Sequence, residues 1–273
     1  MAWRGQRHFR ENVGSVARLG TIADGPSPTR FRHPNVSRAD ISWTKTGRRY
    51  RFGRSLSETL PMPTGLIENP VRGRLNAIFF DALEGYMHWK YAALKGPLFA
   101  STPQTVVEIG PGAGANLRHL TPGTRLIAIE PNKHFHPILR KRAAESGVEL
   151  DLRGLAGEAL DLRSESVDFV FSSLVLCSVS DPAGVITEVK RVLRPNGRFV
   201  CIEHVAAPEG SAISKLQVAI KRPWRWIFEG CDLCRHTDDT LSAAGFSEVN
   251  IQPTVLPTVF VPIRHQIIAS CRK

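Results

Sequence analysis

The sequence predicts an α/β fold in which a mostly parallel sheet is covered by helices on both faces. Three observations carry this expectation. Short runs rich in β-branched residues alternate with segments of helical period. Those runs are apolar along their length instead of at every second residue, as strands buried on both faces must be. The first of them opens directly onto a glycine-rich turn, "EIGPGAGAN", where an open sheet of this kind binds its ligands.

The elements follow in order. Residues 1–71 form a basic leader rich in Arg, Ser, Gly and Pro without sustained apolar periodicity, expected to be disordered. The first 60 residues hold 12 Lys plus Arg against 4 Asp plus Glu, so they carry +8 of the chain's +11 and leave +3 for the rest. A nearly neutral domain lacks the broad phosphate-binding surface that RNA needs, which argues against a nucleic-acid partner. Organelle targeting by an Arg-rich leader is weakened by Glu11, Asp24 and Asp40, and Met62 stands as an alternative start. No apolar run reaches the 18 or more residues that a membrane helix requires, so the protein is expected in the cytoplasm, with membrane contact limited to its periphery. Five cysteines without a signal peptide point to free thiols.

The domain is expected over residues 72–273. Leu75, Ile78, Phe79, Ala82, Tyr86, Trp89 and Ala93 recur at helical spacing, and Gly96-Pro97 reads as the stop. "TVVEI", "RLIAIE", "VELDL" and "VDFVF" are the next four strands. Between them Phe135, Ile138, Leu139 and Ala143 mark one helix face. Asp181 as cap, Pro182 in the first turn and Val185, Ile186, Val189, Val192 and Leu193 mark another. "RPNG" turns into the strand "RFVCIE". Helices are then expected near 211–221 and 237–244, the latter stopped by Gly245, before strands at "EVNIQ" and "HQIIASC". There is no internal repeat.

Gly110, Gly112 and Gly114 remove side chains where the chain must turn sharply and where a ligand can touch backbone, and a following helix is expected to aim its free amides at that ligand. Twenty residues after Gly110, Glu130 ends the second strand, a fitting place for a carboxylate that accepts hydrogen bonds from a ribose diol. Pro131 and Asn132 continue that turn. These facts fit a dinucleotide or S-adenosylmethionine. The spacing GxGxG, with Ala115 and Asn116 where a dinucleotide loop has its last glycine, tilts towards the second. So does Glu108 just before the glycines, suited to the methionine end. Glu158 and Ala159 in "AGEAL" form a third polar site, placed for an adenine amino group.

"VVEIGPGAGAN", "IEPN", "AGEAL", "SVDFVFSSLVLCSV", "EVKRVLRPNGRFVCIEHVA" and "FEGCDLCR" together resemble a class I S-adenosylmethionine-dependent methyltransferase, over about residues 72 to 271. More narrowly they resemble the methyltransferase-like 7 group, whose animal members methylate alkyl thiols, and its small bacterial relatives. The resemblance implies a Rossmann-like sheet of seven strands with the last antiparallel, S-adenosylmethionine as cofactor, and Ser173 and Leu174 among the cofactor contacts. It differs from the animal members in having a hydrophilic leader where they carry an apolar anchor.

Methyl transfer from a sulfonium is an in-line displacement, so alignment and exclusion of water matter most. His204, at the carboxyl end of the fifth strand, is the candidate base or hydrogen-bonding group, with a structural cap as the competing reading. Glu203 is expected to pair with a helix or with Arg235. Cys177 follows the fourth strand and is expected to pack beside the reactive methyl. Trp224, Trp226, Ile227, Phe228, Asp232 and Arg235 are expected to wall the acceptor, with Trp226, Asp232 and Arg235 as contacts. Cys231 and Cys234 have the spacing of a metal knuckle, yet Cys177, Cys201 and Cys271 belong to other strands or their ends, so no metal is expected and the pair reads as packing. The expected activity is methyl transfer to a small, apolar acceptor, with thiol sulfur favoured by the resemblance alone. The alternatives are O-, N- or C-methylation of a lipid-like or secondary metabolite, or cofactor binding without turnover. The sequence leaves the oligomeric state open.

Overall fold

A computed structural model describes residues 69–273, so the expectations for residues 1–68 lie outside the described residues. The chain opens on helix α1 (Pro70–Phe99) and continues through β1 (Thr105–Ile109), β2 (Arg125–Ile129), α2 (His136–Glu145), β3 (Glu149–Arg153) and β4 (Val167–Ser173). It ends with α3 (Pro182–Val192), β5 (Leu193–His204), α4 (Ala212–Ile227), α5 (Thr237–Ala243), β6 (Glu248–Val255) and β7 (His265–Arg272). The seven strands form one sheet in the order β3-β2-β1-β4-β5-β7-β6. Strands β1 to β5 pair in parallel, whereas β7 runs antiparallel to both β5 and β6. The order reverses between β1 and β4, and a crevice for a ligand belongs at the carboxyl ends of strands at such a point.

Alternation along the strands builds two apolar layers. Val107, Ile109, Ile127, Ile129 and Phe199 meet Val185, Ile186, Val189 and Val192 of α3 on one face. Val106, Leu126, Phe169, Phe171 and Val200 meet Leu139 and Ala143 of α2 and Phe99 of α1 on the other. The helix faces read from sequence in α2 and α3 are buried except for the half-buried Ile138, and the Asp181 carboxylate accepts the Gly184 amide at 3.0 Å as the expected cap.

Five local expectations change. Helix α1 turns its predicted stripe outward: Leu75, Ile78, Phe79 and Trp89 are 38–69% exposed, while Gly73, Asn76, Ala77, Tyr91, Lys95 and Phe99 are buried. The reason is close approach, because a side chain at Gly73 would come within 3.2 Å of His134, and hydropathy does not register small residues as contact surface. Pro97 does not stop α1 but lies in its last turn, where few backbone bonds remain to be lost. No α-helix follows the glycine loop. The 15 residues between β1 and β2 contain only a short 3₁₀ turn at Leu117–His119, whose Leu117 packs with Phe99 from the end of α1. The segment "RPNG" lies within β5 as an irregularity with Asn196 at φ 65°, and α4 continues past the expected end at 221 through Pro223 to Ile227, so most of the aromatic segment is helical.

Candidate active site

A cavity of about 510 Å³ opens at the crevice between β1 and β4. One half is built from the loops after β1, β2 and β3. Gly110, Gly112 and Gly114 take φ of 62°, 53° and 83°, the left-handed region that favours glycine. A side chain at Gly110 would lie 2.5 Å from Val175, so the loop after β1 is pressed against the turn after β4. Gly110 and Gly112 line the cavity, and Gly114 sits behind them against Leu117 and Leu139.

Glu130 holds this half together. Its Oε2 accepts the Gly112 amide at 2.9 Å and its Oε1 the Asn132 amide at 2.8 Å. Burial pushes its carboxyl up to about 7 against the pull of those two amides. Each oxygen keeps a further acceptor position. Pro131 and Asn132 line the cavity beside it, and the Asn132 side chain donates to the Gly73 carbonyl at 3.2 Å, which ties α1 to the loop.

Glu108 is fully buried and stands behind the wall. Its Oε1 accepts from Asn116 Nδ2 at 2.6 Å, and its Oε2 has no hydrogen-bond partner among the described residues. Burial pushes it up to about 7, opposed by Asn116 and by Lys95. Asn116 and Lys95 themselves reach the cavity. Burial lowers Lys95 to about 8, and Asn116 Oδ1 is buried without a partner among the described residues. Neither Lys95 nor Asn116 was visible as a site residue in the sequence, because one comes from α1 and the other read only as a departure from a glycine pattern. Ser173 and Leu174 line the cavity, with Leu174 at φ 59° and the Ser173 hydroxyl 3.4 Å from Asn116 Nδ2. Glu158 lines it too, accepting the Ser180 and Asp181 amides. Ala159 does not: its amide closes a turn onto the Ala156 carbonyl at 3.2 Å, and Ala156 and Gly157 take its place on the wall.

The other half is aromatic and soft. Phe79 and Phe80 of α1, Trp224 and Phe228 around the end of α4, and Phe260 from the β6–β7 connection line it. Phe228 stacks on Trp224 at 4.4 Å and meets Phe79 at 6.0 Å. Trp226 is a correction: it is 64% exposed and points away. Helical period explains this, since Trp224 and Phe228 are four apart on the cavity face and Trp226 falls opposite them. Asp232 and Arg235 also lie off the cavity. Asp232 pairs with Lys221 at 3.1 Å and accepts the Cys234 amide, and the Arg235 carbonyl accepts the Ala206 amide, so both serve the turn.

At the junction of the halves stand Cys177, His204 and Cys231. His204 Nε2 lies 3.0 Å from Cys231 Sγ, which also accepts from Trp224 Nε1 at 3.2 Å and sits 3.9 Å from Cys177 Sγ. Burial alone would lower the imidazole, but Cys231, Glu203 and Asp232 outweigh it and hold it above its ordinary value. The Cys177 thiol, His204 and Trp224 hold Cys231 well below the usual thiol range, and the same neighbour pushes Cys177 up. Glu203 pairs with neither a helix nor Arg235: it is fully buried and accepts from Ser172 Oγ and from the Val175 and Cys177 amides, fixing the turn that carries Cys177. Cys231 therefore lines the cavity, whereas Cys234 does not. A signal for it existed in Gly230. This residue takes φ 98°, and a side chain there would lie 2.8 Å from the Ser178 carbonyl, so the glycine lets Cys231 close on Cys177.

Residues 107–201 match the methyltransferase domain family. Thiol S-methyltransferase TMT1B of Homo sapiens is 36% identical over 186 residues, covering 67% of this chain and 76% of that protein. The chain belongs to the thiol S-methyltransferase family. It is thus a class I S-adenosylmethionine-dependent methyltransferase. Human TMT1A is likewise 36% identical, covering 60% of this methyltransferase and 68% of its own length. The fold also matches phosphoethanolamine N-methyltransferase 2 of Haemonchus contortus, solved with phosphomonomethylethanolamine and S-adenosylhomocysteine, at a TM-score of 0.54 and 11% identity over 71% of this chain and 58% of that one. The cavity of this methyltransferase fits its cofactor. Asn116 Oδ1, without a partner among the described residues, the Lys95 ammonium at the cavity and the spare acceptor positions of Glu130 are polar groups available to it. No helix among the described residues is long and apolar enough to cross a membrane.

Proposed function

We propose that the enzyme methylates the sulfur of a small apolar thiol at the junction of the two halves of the cavity. The observation that carries this reading is the placement of the buried His204–Cys231 pair at the foot of an aromatic wall. TMT1B and TMT1A, both thiol S-methyltransferases, support the same acceptor atom.

When bound, S-adenosylmethionine supplies a methyl group on a positively charged sulfur. Glu130 receives the ribose hydroxyls on its free acceptor positions. Gly110 and Gly112 give backbone access, and Lys95 with Asn116, backed by Glu108, meets the charged amino-acid end. Glu158 faces the adenine side. Phe79, Phe80, Phe228 and Phe260 take the apolar body of the acceptor and exclude water from it. A thiol of ordinary pKa near 8.5 is about 3% thiolate at pH 7. His204, buried beside the position of the acceptor sulfur, helps to hold that sulfur where it must line up. An alcohol would need a much stronger base than this corner offers.

A labelled methyl-transfer panel of alkyl thiols, phenols and amines, run with the full chain, tests the reading. Transfer to apolar thiols and little to the others is expected. Preferred transfer to a phenol or amine would overturn it.

A further inference from the structure

We propose that Cys177, His204 and Cys231 form a soft-metal site that takes zinc, with its open position facing the cavity and filled by the sulfur of the acceptor. This rests on the thiol reading of the same corner.

The donor set comes from three segments far apart in the chain: the turn after β4, the end of β5 and the turn after α4. All three residues are buried and all three line the cavity. Their donor atoms lie within 4.8 Å of one another. Zinc with sulfur at about 2.3 Å and nitrogen at about 2.0 Å in a tetrahedron places two sulfurs about 3.8 Å apart and sulfur and nitrogen about 3.5 Å apart. The observed 3.9 Å between Cys177 and Cys231 meets the first value. The 3.0 Å between His204 and Cys231 opens by about 0.5 Å to meet the second. Three protein ligands with the fourth position open to a cavity is the arrangement of catalytic zinc, whereas structural zinc is closed by four. Trp224 Nε1, at 3.2 Å from Cys231 Sγ, is a hydrogen-bond donor of the kind that steadies a metal-bound sulfur.

The charge count favours this arrangement. Two thiolates and a neutral imidazole cancel the ion's two charges, which lets the site remain buried at low cost. The acceptor thiol gives its proton to the buffer as its sulfur enters the fourth position, leaving one negative charge beside the cationic methyl donor. The new sulfur–carbon bond then forms on the acceptor as the donor's sulfur–methyl bond breaks. The product, a neutral thioether and a weaker ligand, leaves the position free.

The test uses full-length protein without a metal-binding tag, stripped with a chelator under reducing conditions and titrated with cobalt(II). A thiolate-to-cobalt charge-transfer band with the visible absorption of a tetrahedral site is expected, displaced by zinc. Cys177→Ser and Cys231→Ser should each weaken binding on the order of 100-fold. Cys234→Ser should leave it unchanged. Since either serine variant could misfold, His204→Cys serves as the second probe: three sulfurs should keep the band, shifted, where His204→Ala weakens it. Absence of the band in folded wild-type protein, or its survival in Cys231→Ser, overturns the proposal. Thiol methylation at full rate by protein shown to be metal-free overturns it as well and leaves the thiol reading standing. Metal binding without transfer to any thiol does the reverse.

Discussion

The two halves of the cavity are built by opposite strategies. The half proposed for the cofactor uses backbone: glycines at positive φ, amides of adjacent loops and one carboxylate, Glu130, that receives two of those amides. The half proposed for the acceptor uses side chains from α1, the turn after β4, the end of β5, the end of α4 and the β6–β7 connection. A site made of backbone depends on where the chain turns, and one residue can hold it. A site made of side chains depends on helix phase, so a neighbouring residue can be irrelevant. This is the contrast between Phe228 and Trp226.

Substitutions can sharpen that contrast. The largest effect is expected at its seam, where His204→Ala should lower kcat for a thiol about 1,000-fold, within the range of positioned proton-handling groups, with cofactor affinity intact. An unchanged rate and pH profile would show that alignment alone does the work. Glu130→Ala leaves the Gly112 and Asn132 amides without their acceptor and removes the proposed ribose contact. Cofactor affinity, measured by calorimetry, should fall about 100-fold, as expected for lost bonds to a charged group. Equal affinity would move the ribose elsewhere. In the acceptor half, Phe228→Ala should raise KM for an apolar thiol about 10-fold through lost burial, while Trp226→Ala leaves it unchanged. Equal effects of the two would refute the assigned helix phase.

The smallest effect is on stability. Glu108 has its carboxyl raised from 4.5 to about 7 in the folded protein, so the fold binds its proton more tightly than the unfolded chain does. Its contribution is complete below about pH 4.5 and is lost as pH rises through about 7. Glu108→Gln, which keeps the shape and cannot ionise, should therefore flatten the fall in Tm of the cofactor-free protein across that window. A slope identical to wild type would mean that Lys95 and Asn116 already neutralise the site.

Much of the first half was legible because its parts are close in sequence. Gly110 and Glu130 end two neighbouring parallel strands, and spacing converts directly into proximity. The second half required knowing which strand ends meet. Cys177 and Cys231 are 54 residues apart and come together where Asp232 donates its amide to the Cys177 carbonyl at 2.8 Å. Helix α1 failed for another reason. It is apolar on two sides, and small residues, which period counting passes over, decide which side packs. The missing helix after the glycine loop follows from what fills its place, since Phe99 from α1 already covers Leu117 and the strand faces of Phe169 and Phe171.

The contact between Gly110 and Val175 has a consequence for what substitutions the family can absorb. A methyl group at position 110 would lie 2.5 Å from the valine, so size at one position must be traded against size at the other. Gly110→Ala alone should be strongly destabilising. With Val175→Ala beside it, denaturant unfolding should show the residual cost reduced to about 1–2 kcal/mol, the expense of alanine at positive φ. Two turns separated by 65 residues of chain thus behave, for mutation, as one position.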